Sequence, residues 1–267
     1  AKEKGKLMML SNITSNSVED VNEARGEPVW FQLYARDHWD SNLKIIERAE
    51  HAGCPVLILT VDMVGDSYRE TQDIFIRQDD RDCSACHGEV RSSYRGRPMF
   101  DGIDLDAHLA AGERLEWDLV KKIKDSTDMK LIIKGITHPL DAKLCVKHGV
   151  DGIIVSNHGG RSQADSRGTI EILPEIIKAI DGKIPVMVDG GIRRGSDIFK
   201  ALALGATAVD IGRPYLWGLG AFGQAGVERV LDILDAEFKV VMQQMGVTSI
   251  DQIKTSSLAL PWGFGQG

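Results

Sequence analysis

Several things are scarce in this 267-residue chain, and each scarcity excludes a class of protein. No apolar run approaches the ~18 residues that a membrane-spanning helix needs. Cysteine occurs only at Cys54, Cys83, Cys86 and Cys145, too thinly for a disulfide scaffold. An excess of positive charge is also lacking. The net charge of −7 and pI near 5.5 argue against a general binder of nucleic acid or anionic membrane, while leaving room for a local basic pocket for a small anion. The opening "AKEKGK" carries neither an initiator Met nor the apolar stretch of a signal peptide. The expectation is a cytosolic chain, compatible with peripheral membrane association, that is processed or cut from something longer.

What is present is a sizeable apolar fraction, 43%, against 27% charged residues, enough for a large core and not the composition of a disordered chain. Short runs rich in Val, Ile and Leu recur at 6–11, 29–34, 55–62, 130–135, 152–160, 184–191 and 208–214. They are continuously apolar rather than alternating, as parallel strands buried on both faces are. Amphipathic stretches lie between most of them. "SVEDVNEAR" opens on Ser17 with Asp20 three residues on, a capping pattern. "WDSNLKIIERAEHAG" ends on Gly53, a natural helix stop. The last long helix is expected at about "QAGVERVLDILDAEFKVVMQQMG".

Strand and helix repeated in this way predict a parallel α/β fold. The closed form has eight strands, and seven are countable. An open doubly wound sheet is the second choice, but its glycine-rich turn follows the first strand, whereas here glycines crowd the late ones. We therefore expect a (β/α)8 TIM barrel, lacking its first strand and N-terminal segment, as a single domain over 1–267. The interval between the third and fourth strands is unusually long. It predicts a polar βα-loop insertion at about 66–112.

In such barrels functional residues sit at the C-terminal strand ends. Those ends hold Ser11, then Gln32 and Tyr34, Thr60 and Asp62, Lys134, and Ser156, His158 and Arg161 of "SNHGGR". Asp189, Gly190, Gly191, Ile192 and Arg193 of "DGGIRRG" follow, and Gly212 and Arg213 of "GRP" close the set. One polar end is a satisfied turn; seven in succession are not packing. The last two read as a phosphate site, because glycines admit backbone N–H groups to an anion and arginines offer bidentate contacts. Lys134 is open to three readings: a Schiff-base lysine, a fixed charge beside a cofactor ring that becomes anionic, or a solvated strand-end lysine. His158 serves either as a base, with Asp62 to orient it, or as a hydrogen-bonded structural histidine. Arg161 and Arg69 are suited to clamp a substrate carboxylate.

In order, "FQLY", "LTVD", "IKGI", "SNHGGR", "VDGGIRRGSDIFKALALGA" and "IGRP" resemble the FMN-dependent α-hydroxy-acid oxidases and dehydrogenases, which include glycolate oxidase, the flavin L-lactate dehydrogenases and mandelate dehydrogenase. The resemblance runs from about residue 6 to about residue 260. It implies a (β/α)8 barrel with FMN at the C-terminal face and oxidation of an L-2-hydroxy acid to the 2-keto acid, with electrons passed on to oxygen, a quinone or a cytochrome. It makes His158 the base and Asp62 the residue that stabilises its imidazolium. Tyr34, Arg69 and Arg161 then bind the substrate carboxylate and hydroxyl. Ser11, Gln32, Thr60, Lys134 and Ser156 contact flavin and ribityl chain, Lys134 stabilising the reduced flavin anion. Asp189, Gly190, Gly191, Ile192, Arg193, Gly212 and Arg213 hold ribityl and phosphate. It also implies a homo-oligomer at full length.

The family's N-terminal segment, with its substrate tyrosine and first strand, has no counterpart here, so weak FMN binding is expected of this chain. "SQAD" stands where the family continues Gln-Leu-Asp, and "TVDMVGDSYRET" where it has Pro and an Arg-rich turn; both bear on substrate choice. "CSACH", holding Cys83, Cys86 and His87, matches covalent haem attachment, yet its surroundings are polar and a zinc ion would be one ligand short. It reads as a loop with two thiols, and no metal site is assigned. Two other functions compete: a lyase using a Lys134 Schiff base, in which "SNHGGR" has no role, and a non-catalytic barrel for a phosphate ligand, which needs no base.

Overall fold

The computed structural model describes residues 1–63, 65, 69–80, 94–112, 114–162 and 167–265. Cys83, Cys86 and His87 lie outside them. Seven strands are described: β1 (Met9–Ser11), β2 (Trp30–Leu33), β3 (Val56–Thr60), β4 (Lys130–Ile136), β5 (Gly152–Val155), β6 (Val186–Val188) and β7 (Ala208–Val209). Their helices are α1 (Val18–Arg25), α2 (Trp39–His51), α3 (Glu70–Gln78), α4 (Leu105–Ala110), α5 (Trp117–Asp125), α6 (Pro139–Lys147), α7 (Thr169–Ile180), α8 (Gly195–Ala203) and α9 (Arg213–Gln244). All pairings described are parallel. This βα succession is that of a TIM barrel, the fold class expected from the sequence. Every residue of β3, β5 and β6 is buried, which is why those runs are apolar without alternation. No helix among the described residues is long and apolar enough to cross a membrane.

The chain divides into two compact units, residues 7–131 and residues 1–6 with 132–267. In the first, β1 pairs with β2 and β2 with β3. The Ser17 hydroxyl caps α1 by accepting from the Asp20 N–H (3.1 Å), as the capping pattern predicts. α2 stops at His51, two residues before Gly53 with φ +84°. The stretch expected as a loop insertion is partly helical. It carries α3 and α4, the latter capped by the Asp104 carboxylate on the Ala107 N–H (3.0 Å).

His108 of α4 is the anchor of that segment. It is 0% exposed and packs its ring 5.4 Å from those of Tyr94 and Phe100. Neither ring nitrogen has a partner among the described residues. Burial first, then the charges of Arg36 and His38, lower its pKa from 6.5 to about 4. A base whose native pKa is depressed leaves the folded state with fewer protons than the unfolded one, so stability is lost as pH falls from 6.5 towards 4. The loss between pH 7.5 and pH 5 is about 2 kcal/mol. His108→Phe, which keeps a ring among rings, is expected to remove that increment from the pH dependence of urea unfolding. Parallel curves for the two proteins would contradict this account of His108.

In the second unit β4 to β7 pair in sequence order. α8 packs on α9 so closely that a Cβ on Gly195 would lie 2.1 Å from the Phe238 backbone nitrogen. The Glu237 carboxylate accepts from the Gly195 N–H (2.9 Å) and pairs with Arg194 (2.7 Å). These contacts fix the start of α8 and the loop before it. Gly195→Ala is expected to lower stability by about 1–3 kcal/mol through overpacking, measurable by denaturant unfolding. α9 begins earlier than the sequence suggests and breaks at Phe222 and Gly223, the latter with φ +59°.

Candidate active site

The end of β5 holds a compact hydrogen-bonded cluster. Ser156 is fully buried, and its hydroxyl donates to Asp189 Oδ2 (2.8 Å) and accepts from Lys134 Nζ (2.9 Å) and from the His158 N–H (3.1 Å). Lys134 Nζ also lies 3.3 Å from Asp189 Oδ2. Both side chains of that pair are less than a fifth exposed, so water screens them little. Lys134 is placed by a bulge: the register passes from Lys134↔Ile154 to Ile136↔Val155, and Gly135 absorbs the extra residue with φ +109°.

"SNHGGR" then makes three consecutive left-handed residues, His158 (φ +58°), Gly159 (φ +69°) and Gly160 (φ +79°). For a histidine this conformation costs on the order of 1–3 kcal/mol, and such strain gathers at functional loops. The loop is held by Asn157, whose Oδ1 accepts from the Gly160 N–H (2.9 Å) and whose carbonyl accepts from the Gly160 and Arg161 N–H groups. Arg161 Nε donates to the His158 carbonyl (2.9 Å), and the Arg213 guanidinium donates to the Gly159 carbonyl. His158 is half-buried and Arg161 exposed.

After β6, Gly190 (φ +90°) and Gly191 (φ +76°) form the turn that no Cβ-bearing residue adopts readily. The Asp197 carboxylate occupies the N–H groups of Arg193 (3.0 Å) and Arg194 (2.9 Å). Those of Gly190, Gly191 and Ile192 donate to no acceptor among the described residues. The space beside Gly191 is open for 4 Å, and Arg193 stands over the Trp217 ring of α9 (5.5 Å). Gly212 and Arg213 begin α9. Open N–H donors among glycines, with arginines alongside, fit a phosphate. An ammonium beside a buried polar row fits a ring that gains negative charge. The residues of this unit therefore suit a flavin nucleotide.

The residues 7–131 carry the other strand-end residues. Gln32 and Thr60, both buried, are joined by a hydrogen bond from Gln32 Nε2 to Thr60 Oγ1 (2.9 Å). The Ser11 hydroxyl accepts from the Ile13 N–H (3.2 Å). Tyr34 follows β2 directly, Asp62 lies two residues beyond β3, and Arg69 immediately precedes α3; all three are half-buried. Two residues escaped the sequence reading. Asn12 is 0% exposed, and neither of its side-chain polar atoms has a partner among the described residues. Its signal was a place next to Ser11. The other is Asp210, a carboxylate within the apolar run that ends in "GRP".

The FMN-dependent dehydrogenase family pattern matches residues 1–260. A 2-hydroxyacid oxidase of Dictyostelium discoideum is 39% identical over 259 residues, across 96% of this chain and 66% of that protein. An L-lactate oxidase of Lysinibacillus sphaericus is 38% identical over 259 residues, across 93% and 66%. The chain thus spans 66% of the length of both. Among solved structures, a mandelate oxidase matches with a TM-score of 0.81 at 34% identity, over 95% of this chain and 70% of that one. A mandelate oxidase mutant described with a monooxide FMN adduct matches at 0.77 and 32%. With the strand-end residues in place and the match running over nearly its whole length, the chain belongs to the FMN-dependent dehydrogenase family.

Proposed function

We propose that the chain binds FMN and carries out the oxidation of a small L-2-hydroxy acid to its 2-keto acid, with His158 as base. The observation that carries this reading is the Lys134–Ser156–Asp189 cluster, whose serine also receives the His158 N–H. One buried hydroxyl thereby ties a cofactor-facing cation to the backbone of the base. Bound FMN supplies the acceptor for the substrate's electron pair.

The residues divide the remaining work. His158 takes a proton from the substrate, and Asp62 is assigned to stabilise the imidazolium. Arg161 and Arg69 take the substrate carboxylate, with Tyr34 on its hydroxyl. Ser11, Gln32, Thr60 and Ser156 hold flavin and ribityl chain, and Lys134 stabilises charge that develops on the ring. Gly190, Gly191, Ile192, Arg193, Gly212 and Arg213 take the phosphate, with Asp189 on the ribityl chain. The relatives named as 2-hydroxyacid, L-lactate and mandelate oxidases support this substrate class. Exposed Leu216, Trp217, Leu219 and Phe222 near the start of α9 support a homo-oligomer.

The test is turnover. The chain with saturating FMN and an artificial acceptor should convert the L forms of lactate and mandelate, or glycolate, to the 2-keto acid and leave the D forms untouched. Trapping of a carbonyl substrate on Lys134 by borohydride, without flavin-dependent turnover, would favour the lyase instead.

A further inference from the structure

We propose that Asp210 is a further residue of the cofactor site and presents there a carboxylic O–H as a hydrogen-bond donor. The proposal rests on the FMN reading of the cluster around Lys134. Its geometric basis is a row across three strands. Val155 pairs with Val188, and Val188 with Val209, in register. One residue further on, the ladder continues through Asp189 N–H to the Val155 carbonyl (3.1 Å) and Asp210 N–H to the Val188 carbonyl (2.9 Å). Ser156, Asp189 and Asp210 are therefore side by side. Neighbouring strands lie about 4.8 Å apart, and residues in parallel register share a face.

Within this row the partners are unevenly shared. Asp189 Oδ2 holds the Ser156 hydroxyl and lies beside Lys134. Asp210 Oδ2 is closed off from solvent and has no partner among the described residues. One ammonium thus stands beside two carboxyls. A second, half-buried carboxylate with one oxygen closed off and no ion-pair partner of its own among the described residues is unfavourable, and retaining a proton removes the charge. Burial first, then the charge of Asp189, push Asp210 up to about 7 against the opposing pull of Lys134. From α8, which packs on β7, the ionisable side chains are Asp197 and Lys200, and Asp197 is engaged by the N–H groups of Arg193 and Arg194. A protonated carboxyl, unlike a carboxylate, donates. The hydroxyls and ring acceptors of a flavin nucleotide are the groups such a donor would meet.

The test is an FMN fluorescence titration of the full chain and of Asp210→Asn at pH 6 and pH 8. Asparagine keeps a neutral donor at every pH. The dissociation constant of the wild type should rise about tenfold more than that of the variant over this interval, since only the wild type loses its donor. Titration of the FMN phosphate affects both proteins alike and cancels in the ratio. Asp210→Ser, with a hydroxyl donor, should match Asp210→Asn and serves if the asparagine variant fails to fold. Parallel pH profiles with FMN bound would overturn the role of Asp210 alone. Failure of the wild type to bind FMN even at pH 6 would overturn the FMN reading and this proposal with it.

Discussion

His158→Asn is expected to slow reduction of bound flavin by an L-2-hydroxy acid about 10²–10⁴-fold, the typical contribution of a positioned general base. Asparagine is the informative replacement because the backbone at this residue is left-handed, with φ +58°. Asparagine tolerates that region better than alanine, so the loop keeps its shape while the base is removed. Its N–H still donates to the Ser156 hydroxyl, a bond that needs no imidazole. FMN affinity should therefore stay within a few-fold of wild type. Rapid-mixing measurement of the flavin band separates the two effects. A fully active asparagine variant would refute the assignment of the base, and loss of FMN together with activity would make His158 a structural residue.

The second large effect is expected at Lys134. Lys134→Met keeps the length of the side chain and deletes its charge. It leaves the Asp189 carboxylate, 3.3 Å from Nζ in the native protein, with the Ser156 hydroxyl (2.8 Å) as its remaining side-chain partner among the described residues. Loss of a preorganised charge facing the reacting ring is expected to cost about 10²–10³ in the rate of flavin reduction. The potential of the bound flavin should fall in parallel if the ammonium, as proposed, stabilises the reduced, anionic ring. Lys134→Arg should recover part of the potential. An unchanged potential in Lys134→Met would mean that the ammonium serves only Ser156 and Asp189.

The strands were legible because burial on both faces demands unbroken apolar runs. "PVLILTVD" reads as β3 whatever surrounds it, and every residue of Val56–Thr60 is indeed buried. Helix starts with a local cap, such as Ser17, were legible because the capping bond spans three residues. The helices α3 and α4 were not. Their stretch is polar, and what orders α4 is the burial of His108 against Tyr94 and Phe100, which no short-range pattern announces. The early start of α9 was hidden by "GLGAFG", since glycine lowers helix propensity. There a close approach requires it: a Cβ on Gly226 would lie 1.9 Å from the Gly218 carbonyl oxygen. In the site, Lys134, Ser156 and Asp189 were found singly at strand ends; their joining through one hydroxyl depends on register and on the bulge at Gly135. Asp210 was overlooked because "GRP", two residues on, carries the familiar signal.

The proposed chemistry couples a base at His158 to a flavin held by the glycine and arginine loops after β6 and β7. The most direct measurement is anaerobic mixing of the chain, at saturating FMN, with L-lactate, glycolate or L-mandelate while the visible flavin band is followed. The account predicts bleaching by at least one L-2-hydroxy acid, formation of one 2-keto acid per flavin reduced, and no bleaching by the D forms. Bound FMN that stays oxidised with every one of these acids would contradict it.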